Sequence, residues 1–526
     1  MGLAVKSEFN SWYIPVAHGA NFGHEQLNFK IPTDLFEGFE GRIYAHNMKF
    51  DWQTLELHGI HLPVGNLWCT MMMSVYIDEN HVIGHDLDSV LKHYLGEQKK
   101  KVEKKALMDF GWTNSPVDFM AIYAEQDTGE LLNLADVLHA KMEPDWVNLW
   151  ENIDRRFMLL LATMEMRGIR IDYDLCESTE KKLSARMQEI VKEIGFDPGK
   201  QKKKFLYPKL FDPPPVGLGL SVPSRTPKTR EPQVTANWLE SVGHPLTALL
   251  YEYSKSQKQN SSYYSAYLRR STRDFPRLHP NFKQHGTETG RLSCENPNLQ
   301  QIPRDEYKDA YVKRLFLPDK GRELWEIDYR TIEYRLQAVY AQDKELIDLF
   351  ENEGDFHQLV ADDLTQQTGF PISRQQAKTV NYLMAFGGGP GVLDKQLKVG
   401  LERAKKIHRG YKEAYPAIFD RAAEAQSYAE EHGEIQTWSG RTRHFMYSSE
   451  YHSAFNACIQ GGAFEIVKRS MLLLDEAGFY ICNQVHDSVW IQVYSEKEVI
   501  EAERIMSEWT KAQFGLTFRT DRKRLN

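Results

Sequence analysis

The stretch Leu324-Trp-Glu-Ile-Asp328-Tyr-Arg-Thr-Ile-Glu333-Tyr-Arg335 limits what this chain can be more than any other. Its first half has alternating apolar residues, as a strand does, and its second half continues as a helix with Ile332, Leu336 and Val339 on one face. Asp328 falls at the junction. A carboxylate at a strand end can be held still and open on one side, as a divalent metal handling phosphates requires. The plainer account of such an aspartate is a helix N-cap. One acidic residue does not separate the two; a second carboxylate and a cationic helix elsewhere in the chain do.

The second carboxylate is Asp487, within Ile481-Cys-Asn-Gln-Val-His486-Asp487-Ser488-Val-Trp-Ile-Gln-Val493. Apolar-rich runs on both sides of His486, Asp487 and Ser488 predict a β-hairpin with those three at its turn, although an ordinary polar turn has the same composition. The cationic helix is Arg374-Gln-Gln-Ala-Lys378-Thr-Val-Asn-Tyr382-Leu-Met-Ala-Phe386-Gly387, where steps of four set Arg374, Lys378, Tyr382 and Phe386 along one slowly drifting stripe. The stripe runs about 18 Å, enough for a triphosphate at its cationic end and a base at its aromatic end. By itself it reads equally as a solvated helix with a core aromatic.

Together and in this order, the three segments resemble motifs A, B and C of the family A DNA polymerases, the DNA polymerase I family. The resemblance reaches over essentially the whole chain through Thr289-Gly-Arg291, Pro297-Asn298-Leu-Gln300, Gly354-Asp-Phe-His357 and Asn456-Ala-Cys-Ile-Gln460. It implies an α/β chain with a right-hand polymerase of palm, fingers and thumb, the palm itself α+β, preceded by a ribonuclease H-like 3′–5′ exonuclease domain. The expected divisions are 1–142 for the exonuclease-like domain and 143–290 for the thumb and the start of the polymerase domain. Residues 291–340 are the palm with Asp328, 341–449 the fingers with the 374–387 helix, and 450–526 the palm with Asp487.

The resemblance also implies roles. Asp328 and Asp487, aided by the Tyr329 carbonyl, would hold two Mg²⁺ ions. Arg374, Lys378 and His357 would meet the triphosphate of a dNTP, with Lys378 the proton donor to pyrophosphate. Glu333 would close the floor below the sugar against a 2′-hydroxyl, Tyr382 would favour acceptance of dideoxynucleotides, and Phe386 would stack beside the templating pair. Arg291, Asn298, Gln300, Gln460 and His486 would lie along primer-template DNA, whose minor-groove acceptors recur in every base pair and so report pair geometry rather than sequence. Lys255 and Lys258 would belong to the thumb that clamps the product duplex. Three positions depart from the family pattern: Leu383 stands where Gly is usual, Ser488 where Glu is usual, and His452 where many members have Arg.

The N-terminal matches are Tyr13-Ile-Pro-Val-Ala-His18, Asn47-Met-Lys-Phe-Asp51 and Tyr123-Ala-Glu-Gln-Asp127. The family holds its exonuclease metals with four carboxylates, two of them in an Asp-x-Glu on the strand before the Tyr-Ile-Pro-Val segment. Met1 falls just after the place for that strand, and Glu8 lies on the wrong side of Leu3-Ala-Val to replace it. Asp51, Tyr123 and Asp127 therefore read as a remnant, with weak or absent proofreading expected. A shortened sequence, a degenerate domain and a strand supplied by a separate polypeptide are all open.

Net charge matters because a DNA-binding chain at −8 needs an explanation. Residues 1–142 carry 11 Lys or Arg against 19 Asp or Glu, so the whole excess sits there and the remainder is balanced. Within that remainder, residues 181–230 hold 12 basic and 4 acidic side chains, enough local charge to meet phosphates. The five cysteines, Cys69, Cys176, Cys294, Cys458 and Cys482, are scattered without metal-ligand spacing and read as reduced thiols. With no secretory signal pattern or bilayer-length apolar run, a cytoplasmic location in a bacterial or phage-infected cell and no membrane partner are expected. The runs Lys99-Lys-Lys101 and Lys104-Lys105 read as a solvated loop or as a dock for a processivity factor or other replisome protein.

Two other readings carry different predictions. A noncatalytic DNA-binding replication scaffold would have lost metal or phosphate ligands, yet Asp328, Asp487, Arg374 and Lys378 are all present. An RNA polymerase on the same palm is disfavoured by Glu333. The lack of a counterpart to the 5′-nuclease domain of cellular repair enzymes suggests a phage-type replicative enzyme or a fragment.

Overall fold

The computed structural model describes residues 2–7, 10–15, 33–80, 82–96, 117–303, 312–385 and 387–526. His18, Glu8, Phe386 and the two lysine runs lie outside them. The chain forms two compact units. One comprises residues 1–167, 282–294 and 326–523; the other comprises 168–281, 295–325 and 524–526.

The first unit is built on a four-stranded sheet in the order Tyr480–Val485, Ser488–Val493, Glu323–Tyr329, Thr520–Arg524. The first two strands form the predicted antiparallel hairpin, with Val485 opposite Ser488 and a two-residue turn of His486 and Asp487. Every residue of Ser488–Val493 is buried, the polar Ser488 and Gln492 of one face as well as Val489, Ile491 and Val493 of the other. The helix Ala454–Glu476 is buried over nearly its whole length, its Glu465 and Lys468 included. Gly461 lets it approach the backbone closely: a Cβ there would stand 3.0 Å from the Thr289 carbonyl oxygen.

The N-terminal part of this unit has an antiparallel pair, Gly2–Lys6 with Ser11–Pro15, and a parallel pair, Ile43–Ala45 with Leu67–Cys69. Helices Met48–Leu57, Thr70–Ile77 and Leu131–His139 enclose a core around Trp68, Met72, Met73, Leu134 and Trp150. Ionised side chains are also buried in this unit. Asp154 accepts from Lys468 at 2.7 Å and from Arg441 and Tyr76, while Glu465 accepts from Arg441 and Lys468, each at 2.7 Å. Two carboxylates and two cations cancel there, the condition under which buried charge is tolerable.

The second unit centres on the helix Tyr173–Ile194, capped by the Asp172 carboxylate and ended by Gly195 in the left-handed region. Its outer face is charged, and Arg186 grips Glu252 of the helix Pro245–Gln259 with two hydrogen bonds at 2.6 and 2.8 Å. Phe196, Leu206, Leu210, Leu239 and Leu250 form a small separate core. A three-stranded sheet runs Arg277–Leu278, Ile169–Ile171, Phe316–Leu317. Among the described residues no helix is long and apolar enough to cross a membrane, and all five cysteines are free and buried.

Candidate active site

Asp328 is the one exposed residue in the seven of its strand. The following helix, Ile332–Ala341, begins after Thr331, so Asp328 lies in the strand and does not cap the helix. Its neighbour Tyr329 anchors the strand from behind. The Tyr329 hydroxyl donates to the Met506 carbonyl at 2.7 Å and lies 2.6 Å from the Ser470 hydroxyl, which accepts from the Trp509 indole at 2.9 Å. Burial pushes that phenol well above its ordinary pKa, so it stays protonated and donating.

The Tyr329 backbone N–H donates to the Asp487 carbonyl at 3.3 Å. That bond joins the strand of Asp328 to the hairpin turn of Asp487, so the two carboxylates predicted to act together are neighbours. His486 takes φ 54°, the left-handed conformation a tight two-residue hairpin turn demands, and it is exposed. Among the described residues no three or more His, Cys, Asp or Glu side chains converge as a self-sufficient metal site. Two hard oxygen donors on an open strand end do suit Mg²⁺, which keeps waters and commonly takes only one or two carboxylates plus substrate phosphates.

The cationic helix spans Arg374–Ala385 and buries Ala377, Val380, Asn381 and Met384, leaving Arg374, Lys378 and Tyr382 on its exposed face. The periodic stripe is thus solvent-facing, with Tyr382 59% exposed. The Arg374 Nε donates to Asp355 at 2.6 Å. His357 is buried, with Nδ1 2.8 Å from the Asn381 amide nitrogen. Burial first, then the positive charges of Arg374 and Lys378, lower its pKa below the usual histidine value, so it is neutral at pH 7.

Glu333 forms an ion pair with Arg291, linking two residues whose sequence roles were separate. The turn before Arg291 needs Gly290, which takes φ 74° and packs so closely that a Cβ would stand 2.7 Å from the Arg441 side chain. Tyr334 went unremarked in the sequence. It packs edge-on to His357 with ring centroids 5.6 Å apart, and burial first, then Glu333 and Tyr382, raise its hydroxyl's pKa. Arg335 donates to the carbonyls of Arg330, Phe350 and Thr517, fixing the helix that carries Glu333. Gln460 lies part-buried on the long Ala454–Glu476 helix, its amide 3.3 Å from Asn456.

The family departures have local consequences. The Leu383 carbonyl accepts from Gly388 at 2.7 Å, closing the cationic helix against a glycine whose Cβ would clash. Ser488 is buried with its hydroxyl 2.9 Å from the Val485 carbonyl, and His452 is exposed with Nδ1 2.7 Å from the Ser449 carbonyl. In the second unit, Lys255 and Lys258 are exposed on the Pro245–Gln259 helix, Lys255 over the Tyr251 ring, and the Asn298 side chain accepts from the Gln300 N–H at 3.0 Å.

In the N-terminal region, Asp51 sits in the first turn of Met48–Leu57 and Asp127 on Val117–Gly129, one turn after Tyr123. The two aspartates are close enough to interact electrostatically. Burial, and then repulsion from Asp127, push the Asp51 carboxyl up to about 7.

Comparison with known proteins follows the same division. The profile of DNA polymerase family A matches residues 173–520, and that of a 3′–5′ exonuclease matches residues 24–143. DNA polymerase I of Borreliella burgdorferi is 27% identical over 97% of this chain and 58% of its own length. DNA polymerase DpoZ of Acinetobacter phage SH-Ab 15497 is 29% identical over 83% of this chain and 78% of its own. DNA polymerase I of Pseudomonas aeruginosa is 26% identical, with 94% and 57% covered. The chain thus spans little more than half the length of the two cellular relatives. Its fold is that of the POL domain of Pol1 from M. smegmatis, solved in complex with a DNA primer-template and dNTP, with a TM-score of 0.76 at 24% identity over 92% of this chain and 85% of that one.

Proposed function

Since the chain belongs to DNA polymerase family A, we propose that it is a template-directed DNA polymerase that adds deoxynucleotides to a primer 3′-hydroxyl and releases pyrophosphate. The observation that supports this reading is the Tyr329 N–H to Asp487 carbonyl bond, which joins the backbone next to Asp328 to the hairpin turn that carries Asp487. In the reaction the primer 3′-oxygen bonds to the α-phosphorus while the bond from that phosphorus to the bridging oxygen breaks. Asp328 and Asp487, with the Tyr329 carbonyl, would hold two Mg²⁺ ions, which when bound lower the pKa of the attacking hydroxyl and offset charge on the triphosphate.

The remaining roles follow from the side chains. Arg374 and Lys378 bind the triphosphate through charge-assisted hydrogen bonds, and Lys378 gives its proton to the departing pyrophosphate. His357, kept neutral, donates to a phosphate oxygen without adding charge. Glu333, held by Arg291, closes the floor under the sugar, so a ribonucleotide would bury an unsatisfied 2′-hydroxyl. Arg291, Gln460, His486, Asn298 and Gln300 contact the duplex along its minor groove, and Lys255 and Lys258 contact its backbone. We keep the palm, fingers and thumb divisions given above as part of this reading.

The test is extension of a labelled primer by the purified chain with Mg²⁺ and dNTPs. Failure to extend on any template, with the protein folded and binding DNA, would sink the reading. A noncatalytic scaffold predicts that failure.

Tyr382 gives a sharper expectation. An exposed hydroxyl at the sugar end of the cationic stripe can take the place of the missing 3′-hydroxyl of a terminator. Tyr382→Phe should therefore reduce dideoxynucleotide incorporation relative to dNTP by at least about tenfold, on the scale of one buried hydroxyl left without its partner. Competition between ddNTP and dNTP on one primer measures it, and an unchanged ratio would count against the role.

Degradation of 3′ ends by this polypeptide should be weak. Asp51 and Asp127 match only two of the four carboxylates with which the family holds its exonuclease metals, and fewer ligands bind the metals more weakly. A single-stranded, 3′-labelled oligonucleotide incubated with Mg²⁺ measures this, and rapid metal-dependent shortening would refute it.

A further inference from the structure

Glu326 lies two residues before Asp328 on the same strand, so the alternation of side chains puts both on one face of the sheet. Its Oε1 accepts from the Trp490 indole N–H of the hairpin's second strand at 3.1 Å and lies 3.2 Å from the Ser488 hydroxyl, whose single proton it shares with the Val485 carbonyl at 2.9 Å. Ser488 directly follows Asp487, and Ser488 and Trp490 are both buried. One carboxylate oxygen thus bridges two strands beside the main-chain bond from Tyr329 to Asp487. Both donors belong to a strand buried throughout, so the bridge has little freedom to slide.

We propose that Glu326 is a positioning residue for nucleotide addition: by holding Ser488 and Trp490 it fixes the hairpin turn against the central strand and so sets the spacing of Asp328 and Asp487. The proposal rests on the polymerase reading. What the site requires is an acceptor of this length at this point. Glutamine supplies one; alanine does not.

The full chain carrying Glu326→Gln or Glu326→Ala separates this role from others by two readouts. One is single-nucleotide primer extension, resolved into kcat and KM for dNTP; the other is Mn²⁺ binding by electron paramagnetic resonance. Supporting groups of this kind typically change activity or metal affinity by about 10- to 100-fold. Glu326→Ala should therefore lower kcat about tenfold and weaken Mn²⁺ binding by about as much, with KM for dNTP nearly unchanged. Glu326→Gln should restore most of both. Should Glu326→Ala fail to fold, Ser488→Ala removes one of the two bonds and should give a smaller loss of the same kind. Wild-type behaviour of the alanine variants, or a glutamine variant as damaged as the alanine one, overturns the proposal. If the wild type binds Mn²⁺ but extends no primer, the polymerase reading fails, and unaltered Mn²⁺ binding in Glu326→Ala would then separately overturn the positioning role.

Discussion

Asp487→Ala and Asp328→Ala are each expected to lower kcat for nucleotide addition by at least about a thousandfold, roughly 4 kcal/mol of transition-state stabilisation. KM for dNTP should change far less, because Arg374 and Lys378, which would grip the triphosphate, are on a different helix and keep their exposed face. DNA affinity should hold or rise, since either change removes a negative charge from a surface that must receive phosphates. This sign separates the prediction from simple misfolding, which would lose binding together with rate. The double variant should be little worse than either single one, because two carboxylates that hold the same ions act as a unit and their losses do not add. Primer extension with a parallel binding titration on one labelled duplex measures all of these. More than about a tenth of the wild-type rate in either variant would be too small a loss for a transition-state group of this kind, and would remove that residue from the reaction.

Much of this site was legible because its parts are short and contiguous. A strand giving way to a helix around Asp328, an apolar hairpin around His486 and Asp487, and a four-residue stripe of Arg374, Lys378 and Tyr382 each show in a dozen residues, where periodicity reports local structure directly. What joins them was not legible. Asp355 on Arg374, Arg291 on Glu333, Tyr334 against His357, and Glu326 beside Ser488 are contacts between elements separate in sequence, and no periodicity reports a partner across the fold. The N-cap alternative for Asp328 was open for a related reason: the strand runs one residue past it, and Thr331 takes the left-handed turn that starts the helix. The fold class was readable from the motifs, but not how completely the Ala454–Glu476 helix is buried. Its Glu465 and Lys468 look like ordinary solvated residues in a linear reading, and both are in the interior.

Asp154→Ala should be the most destabilising single substitution outside the active site, at about 3–5 kcal/mol, the usual result of removing one partner from a buried ion pair. The substitution leaves Arg441 and Lys468 facing Glu465 alone, so the interior goes from neutral to a net positive charge with no water to disperse it, and the Tyr76 hydroxyl loses its acceptor. Burial alone would raise the Asp154 carboxyl, but Arg441 and then Lys468 outweigh it and hold it well below the usual carboxylate range. A carboxyl depressed on folding contributes stability that is present above its unfolded value near 3.8 and is lost as pH falls through the lower folded value. Across pH 5–8 the contribution should therefore be constant, so the loss in Asp154→Ala should not vary with pH there. Combining Asp154→Leu with Lys468→Met restores neutrality, because Arg441 and Glu465 remain paired at 2.7 Å. The double variant should be more stable than Asp154→Leu alone, a coupling that additive losses cannot produce. Urea unfolding at pH 7 of wild type, Asp154→Ala, Asp154→Leu, Lys468→Met and the double variant measures the loss and the cycle. Strict additivity, or an Asp154→Ala variant within about 1 kcal/mol of wild type, would show that these charges do not act on one another as their geometry requires.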